Sequence, residues 1–193
     1  MKEVKSDNLK IAIIIGNSEY DNSQNLLACD KDLFYINGIL EASNEFHEIL
    51  QIKNEYSTVA TDKIVAFIEK YRDKKIEQVF FYFTGHGYRN SEDFYYCLKN
   101  TSTKNIRTTS LSNKDIDGYL KSLKPNVATK IIDACYAGEQ YIKETNEDNF
   151  LKLSQSQLEN TFNEIYFMFS SKSDETSETN KRASAFTEIF LEA

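Results

Sequence analysis

Val79-Phe80-Phe81-Tyr82-Phe83-Thr84-Gly85-His86-Gly87 begins as five β-branched or aromatic residues and ends in small, polar ones. A run that is apolar on both faces suits a strand inside a parallel sheet, because helices cover both sides of such a sheet. The strand is expected to end at Thr84, leaving His86 just beyond its carboxyl end. Toward the N-terminus, Ile64, Phe67, Ile68 and Tyr71 recur at i, i+3, i+4 and i+7, the spacing of an amphipathic helix. His47 to Ile52 reads as a weaker strand. Leu33, Ile36 and Leu40 mark a helix between Asp30 and Glu41. Leu9 to Ile15 is an opening strand closed by Gly16-Asn17. Toward the C-terminus, Phe94 to Leu98 reads as a small extra strand in a hairpin outside the main sheet. Ser112-Asn113-Lys114-Asp115 caps a helix that carries Ile116, Tyr119, Leu120 and Leu123 and stops before Pro125. Val127 to Ala134 is a fourth main strand, running into Cys135-Tyr136-Ala137-Gly138. Ile165 to Phe169 is a fifth, and Ser184 to Ala193 a closing helix. Strands separated by helices imply an α/β fold, a doubly wound three-layer sandwich with a mostly parallel central sheet.

At 193 residues the chain suits one domain, spanning 1–193. It can bury about 70% of its unfolded surface, so it needs no disulfide or metal staple. A net charge of -7 argues against a nucleic-acid or anionic-membrane partner, since both call for a basic footprint. Three Cys cannot complete a disulfide framework, which points to a reducing compartment. The apolar run Ile11 to Ile15 falls far short of the ~20 residues of a spanning helix, and no secretory signal is seen. A cytoplasmic location is expected. Residues 139–164 carry Glu139, Glu144, Glu147, Asp148, Glu159 and Glu164 among Asn, Gln and Ser, and read as a long, mobile, solvated connection. The sequence stops at Leu191-Glu192-Ala193 with no Gly cap, so the domain is expected to be the N-terminal part of a longer protein.

In open α/β sheets ligands bind beyond the carboxyl ends of the strands. His86 and Cys135 are both expected there, on adjacent strands. A thiol with a pKa near 8.5 is largely protonated at neutral pH. A neighbouring imidazole takes that proton and later gives one to a leaving amine. The amides of Gly87 and Cys135 are the candidate oxyanion donors. Cys29 and Cys97 read as ordinary buried thiols, and His47 as a structural residue. Asp133, two before Cys135 on one strand, shares its face. It is expected near the floor of the pocket for the residue preceding the scissile bond. A carboxylate there favours Arg or Lys and repels aspartate. No G-x-G-x-x-G follows the first strand and no phosphate loop is visible, which argues against a nucleotide-binding protein.

Phe81-Tyr82-Phe83-Thr84-Gly85-His86-Gly87 and Ile131-Ile132-Asp133-Ala134-Cys135-Tyr136-Ala137-Gly138 together resemble the caspase-like cysteine peptidases, which span caspases, metacaspases and bacterial homologues. The His and Cys motifs lie about 50 residues apart, the caspase-type interval. The block Ala28-Cys29-Asp30-Lys31-Asp32 after Gly16-Asn17 agrees, as does Phe169-Ser170-Ser171 followed by Ser184-Ala185-Phe186-Thr187. The resemblance implies the caspase-hemoglobinase fold and a Cys-His dyad endopeptidase that uses no cofactor. Asp133 stands where animal caspases have Gln, and Tyr136 where they have a basic residue or Gln. The acidic form is that of metacaspases and bacterial homologues. Asp32 aligns with an acidic position that shares the specificity pocket in metacaspases, and Thr84 is expected to line its rim. Family members are often cut in the connection after the nucleophile strand, so Lys143 and Lys152 are the candidate self-cleavage sites. Glu92 and Asp93 read as solvated acids rather than a calcium site. The expected partners are a protein or peptide substrate and a regulatory domain or protein. A loop from Tyr88 to Asp93, or the polar stretch after Ser170, is a candidate for ordering on activation. The competing reading is an idle binding domain of the same fold.

Overall fold

The computed structural model describes residues 8–90, 93–136 and 164–170. In chain order these form β1 (Leu9–Gly16), α1 (Ala28–Ser43), β2 (Glu48–Lys53), α2 (Ser57–Tyr71), β3 (Ile76–Arg89) and β4 (Phe94–Cys97). A 3-10 turn at Thr103–Asn105 and the short α3 (Ile106–Thr109) lead into β5 (Ser110–Ser112), α4 (Asn113–Ser122), β6 (Val127–Tyr136) and β7 (Glu164–Ser170). The parallel strands lie in the order β2-β1-β3-β6-β7. β4 pairs antiparallel with the far end of β3, and β5 with β4.

The alternation of side chains on β1 and β3 divides the core into two layers. Ala12, Ile14, Phe80, Tyr82 and Ile131 face Leu33, Ile36 and Leu40 of α1. Ile11, Ile13, Ile15, Phe81 and Phe83 face α2 and α4 on the other side. Each large side chain so buried contributes about 1.5–3 kcal/mol. The expected three-layer α/β architecture is therefore present. Ser112 caps α4 by accepting a hydrogen bond from the Asp115 amide at 3.0 Å, as its capping pattern suggests.

Three expectations need correction. β3 does not end at Thr84 but runs on to Arg89. The extension is held on one edge by β6, as far as Gly87 opposite Tyr136, and on the other by β4 from Gly87 to Arg89. Tyr88 and Arg89 are thus strand residues rather than the start of a loop. Second, Cys135 belongs to β6 and does not follow it. Third, the hairpin strand β4 is not outside the main sheet; it joins it where β1 has ended, next to the projecting part of β3. The closing helix expected at 184–193 lies outside the described residues.

On the α2–α4 side sits a buried polar cluster that the sequence pattern did not suggest. Lys130 and Asp117 are 1% and 3% exposed, with Nζ 2.6 Å from Oδ1. Asn113 accepts from Lys130 and, at 2.8 Å, from the Tyr96 hydroxyl, and donates to Asp117 at 3.0 Å. The ammonium also faces the Phe81 and Tyr96 rings. Burial pulls the Lys130 pKa down, against the pull of Asp117.

Candidate active site

The register of β3 and β6 sets His86 opposite Cys135 and Thr84 opposite Asp133. Partners on neighbouring strands are about 4.8 Å apart. Both sequence-predicted pairs therefore meet at the carboxyl end of the parallel sheet. For Cys135 the described part is the backbone alone.

His86 is held from three directions. Its Nε2 lies 2.8 Å from the carbonyl oxygen of Gln24. A carbonyl can only accept, so that contact places the imidazole proton on Nε2. Nδ1 then carries the lone pair, and it is buried with no hydrogen-bond partner among the described residues. The His86 amide donates to the Tyr20 hydroxyl at 2.8 Å, and that hydroxyl donates to the Asn17 carbonyl at 2.9 Å. The Tyr20 ring also packs on the imidazole, with centroids 4.6 Å apart. Burial lowers the His86 pKa below its ordinary 6.5, partly offset by the Gln24 carbonyl. Burial raises the Tyr20 phenol strongly, so it stays protonated and able to donate. The result is a neutral imidazole with one nitrogen tied and the other free to accept a proton.

The two glycines beside His86 are fixed by packing. Gly85 has φ +154°, and a Cβ on it would lie 2.7 Å from the Tyr20 hydroxyl. A Cβ on Gly87 would strike the Phe94 ring at 2.6 Å. The absent side chain at Gly87 thus makes room for Phe94 in the core layer.

Below His86 and the Cys135 position lies a cluster of buried acids. Asp32 on α1 is 1% exposed and accepts from the Thr84 hydroxyl at 3.3 Å. Asp133 is 8% exposed and is the strand partner of Thr84. Asp32, Thr84 and Asp133 are therefore gathered together although they are far apart in sequence. Carboxylates removed from water call for donors or a cation.

Other candidates fall elsewhere. His47 is exposed at the start of β2, at the opposite end of the sheet, with its amide on the Lys10 carbonyl. Cys29 and Cys97 are buried, and burial pushes the Cys97 thiol up to about 12. Asp93 accepts from the amides of Phe94 and Lys114, tying the hairpin to α4. Glu92, Lys143 and Lys152 lie outside the described residues. Gln24 and Tyr20 escaped the sequence reading. Gln24 acts through a backbone carbonyl, a group every residue has, and Tyr20 carries only the weak signal of following Gly16-Asn17. Among the described residues no helix is long and apolar enough to cross a membrane.

Compared with protein-family models, residues 9–193 match Peptidase_C14, the caspase domain. No curated protein matches the chain.

Proposed function

Because the chain belongs to the caspase-domain family of cysteine peptidases, we propose that it is an active endopeptidase with Cys135 as nucleophile and His86 as its base and acid. The observation that carries this is the state of His86: neutral, its Nε2 proton committed to Gln24, its Nδ1 lone pair buried and open, and its strand in register with Cys135. His86 Nδ1 takes the thiol proton as sulfur attacks the scissile carbonyl. The carbonyl oxygen becomes an oxyanion, received by the amides of Gly87 and Cys135. The intermediate collapses as the imidazolium protonates the leaving amine, giving a thioester that water hydrolyses with His86 again as base. No cofactor enters these steps.

The cluster of Asp32, Thr84 and Asp133 meets the side chain before the scissile bond, and its two carboxylates select Arg or Lys. At 4 Å and an effective dielectric near 20, each carboxylate attracts the cation by about 4 kcal/mol before desolvation. The planar guanidinium fits such a pair better than an ammonium. Control by a partner or a flanking domain completes the reading, since an unrestrained peptidase is hazardous to its host.

Two measurements test it. An electrophilic peptide inhibitor should label the chain at Cys135 and leave Cys135→Ala unlabelled, whereas an idle domain labels in neither form. Matched fluorogenic peptides ending in Arg, Lys, Asp and Leu should rank Arg and Lys first, and Asp133→Ala should flatten the ranking. Faster cleavage of the Asp peptide sinks the specificity assignment.

A further inference from the structure

Beyond His86, on the side away from β6, lies a recess. It has a volume of about 240 Å³ and is lined by Asn22, Ser23, Tyr88, Thr101 and Lys104, with buried Cys97 behind them. Two of its walls belong to the machinery already described. Asn22 and Ser23 immediately precede Gln24, whose carbonyl holds the imidazole. Tyr88 is two residues past His86 on β3, and so on the same face. The loop is fixed in place by the Asp21 amide on the Lys99 carbonyl at 2.9 Å and by the Asn22 side chain on the Thr101 carbonyl at 3.2 Å. Among the described residues no carboxylate lines the recess, and Lys104 is the one charged group there. Lys104 is exposed and in no ion pair with a described residue.

The direction of the chemistry says what reaches it. His86 protonates the leaving amine, so the substrate chain on the amine side must depart over the imidazole. Cys135 on β6, His86 on β3 and the recess beside β4 then follow one another across adjacent strands. Two strand spacings are about 10 Å, or roughly three residues of extended peptide. We propose that this recess binds the second or third residue on the amine side of the scissile bond and selects an acidic side chain there. The Ser23 hydroxyl, the second amide proton of Asn22 and the Lys104 ammonium suit a carboxylate and disfavour a cation.

The inference rests on the peptidase reading, and its test separates the two. Internally quenched peptides sharing the best acyl side, with Glu, Gln or Lys two or three residues past the cut, are compared in the full chain and in Lys104→Glu. A short substrate whose leaving group is a fluorescent amine serves as control, because it has nothing to place in the recess. The native chain should cleave the Glu peptide about three to five times faster than the Gln peptide, the range of one exposed ion pair. The Lys peptide should be slowest, and added salt should narrow the spread. In Lys104→Glu the order should reverse, with the control substrate unchanged. Equal rates for the three peptides, or one order in both proteins, overturns the assignment while leaving the peptidase intact. If neither protein cleaves even the control, the peptidase reading fails and this inference falls with it.

Discussion

His86 has two nitrogens in different states, and its chemistry follows from that difference. Because burial depresses its pKa, the base form persists below pH 6.5. kcat/KM should therefore hold as pH falls through 6.5 and decline only at lower pH; an acid limb above 6.5 contradicts the assigned state. Stability follows the same sign. The contribution of the buried neutral imidazole is complete above pH 6.5 and is lost as pH falls through the lower, folded value. Its neighbour gives a second test. Gly85→Ala adds a methyl at φ +154°, against the Tyr20 hydroxyl, and should cost more than about 1 kcal/mol in urea unfolding. Tyr20→Phe alone should also destabilise in urea unfolding, since it leaves the buried His86 amide and Asn17 carbonyl without their shared hydroxyl. At this scale His86, Cys135 and Asp133 were legible because each is a distinctive side chain in a short local motif. The Gln24 carbonyl was not, because its role comes from a loop returning across the end of β3.

The length of β3 shows why strand limits were harder to read than strand identity. Thr84-Gly85-His86-Gly87 has none of the apolar bulk that marks Val79 to Phe83, so composition alone ends the strand early. Pairing extends it: β6 and β4 supply hydrogen-bond partners on both edges, and neither is local in sequence. α4 is secured in a comparable non-local way. It meets the sheet through Ile116 and Leu120 and also through Asp117, whose partner Lys130 sits mid-strand in β6. Asp117→Ala leaves a buried ammonium uncompensated and should destabilise by about 3–5 kcal/mol. Asp117→Leu with Lys130→Met should recover most of that loss. Denaturant unfolding of the three proteins decides it, and equal losses in single and double variants would falsify the ion pair as the source. An alternating pattern cannot announce this pair, since a lysine in a strand ordinarily reads as a solvent-facing position.

The whole molecule brings its candidate site positions together because parallel strands all present their carboxyl ends to one side. That logic was legible from alternating strands and helices, and it assembles Asp32 of α1 with Thr84 and Asp133. The connection between β6 and β7 carries a prediction of its own. If the active chain processes itself, cuts should fall after Lys143 or Lys152, and mass spectrometry of aged protein should find them in the native chain but not in Cys135→Ala. Equal cutting in both would assign it to another peptidase. The Tyr20 phenol that bridges Asn17 and His86 has a last consequence, an optical one. The chain has twelve Tyr and no Trp, so its near-ultraviolet absorption comes chiefly from phenols. Tyr20, Tyr71, Tyr96 and Tyr119 are all raised above 10, mainly by burial. This group should therefore stay colourless until alkali opens the fold. Stability held by these protonated phenols is present below pH 10 and drains away as pH climbs toward their folded values. The late step in absorbance should coincide with loss of the fold around His86, so that the protein reports the integrity of its candidate active site in ultraviolet light without any added label.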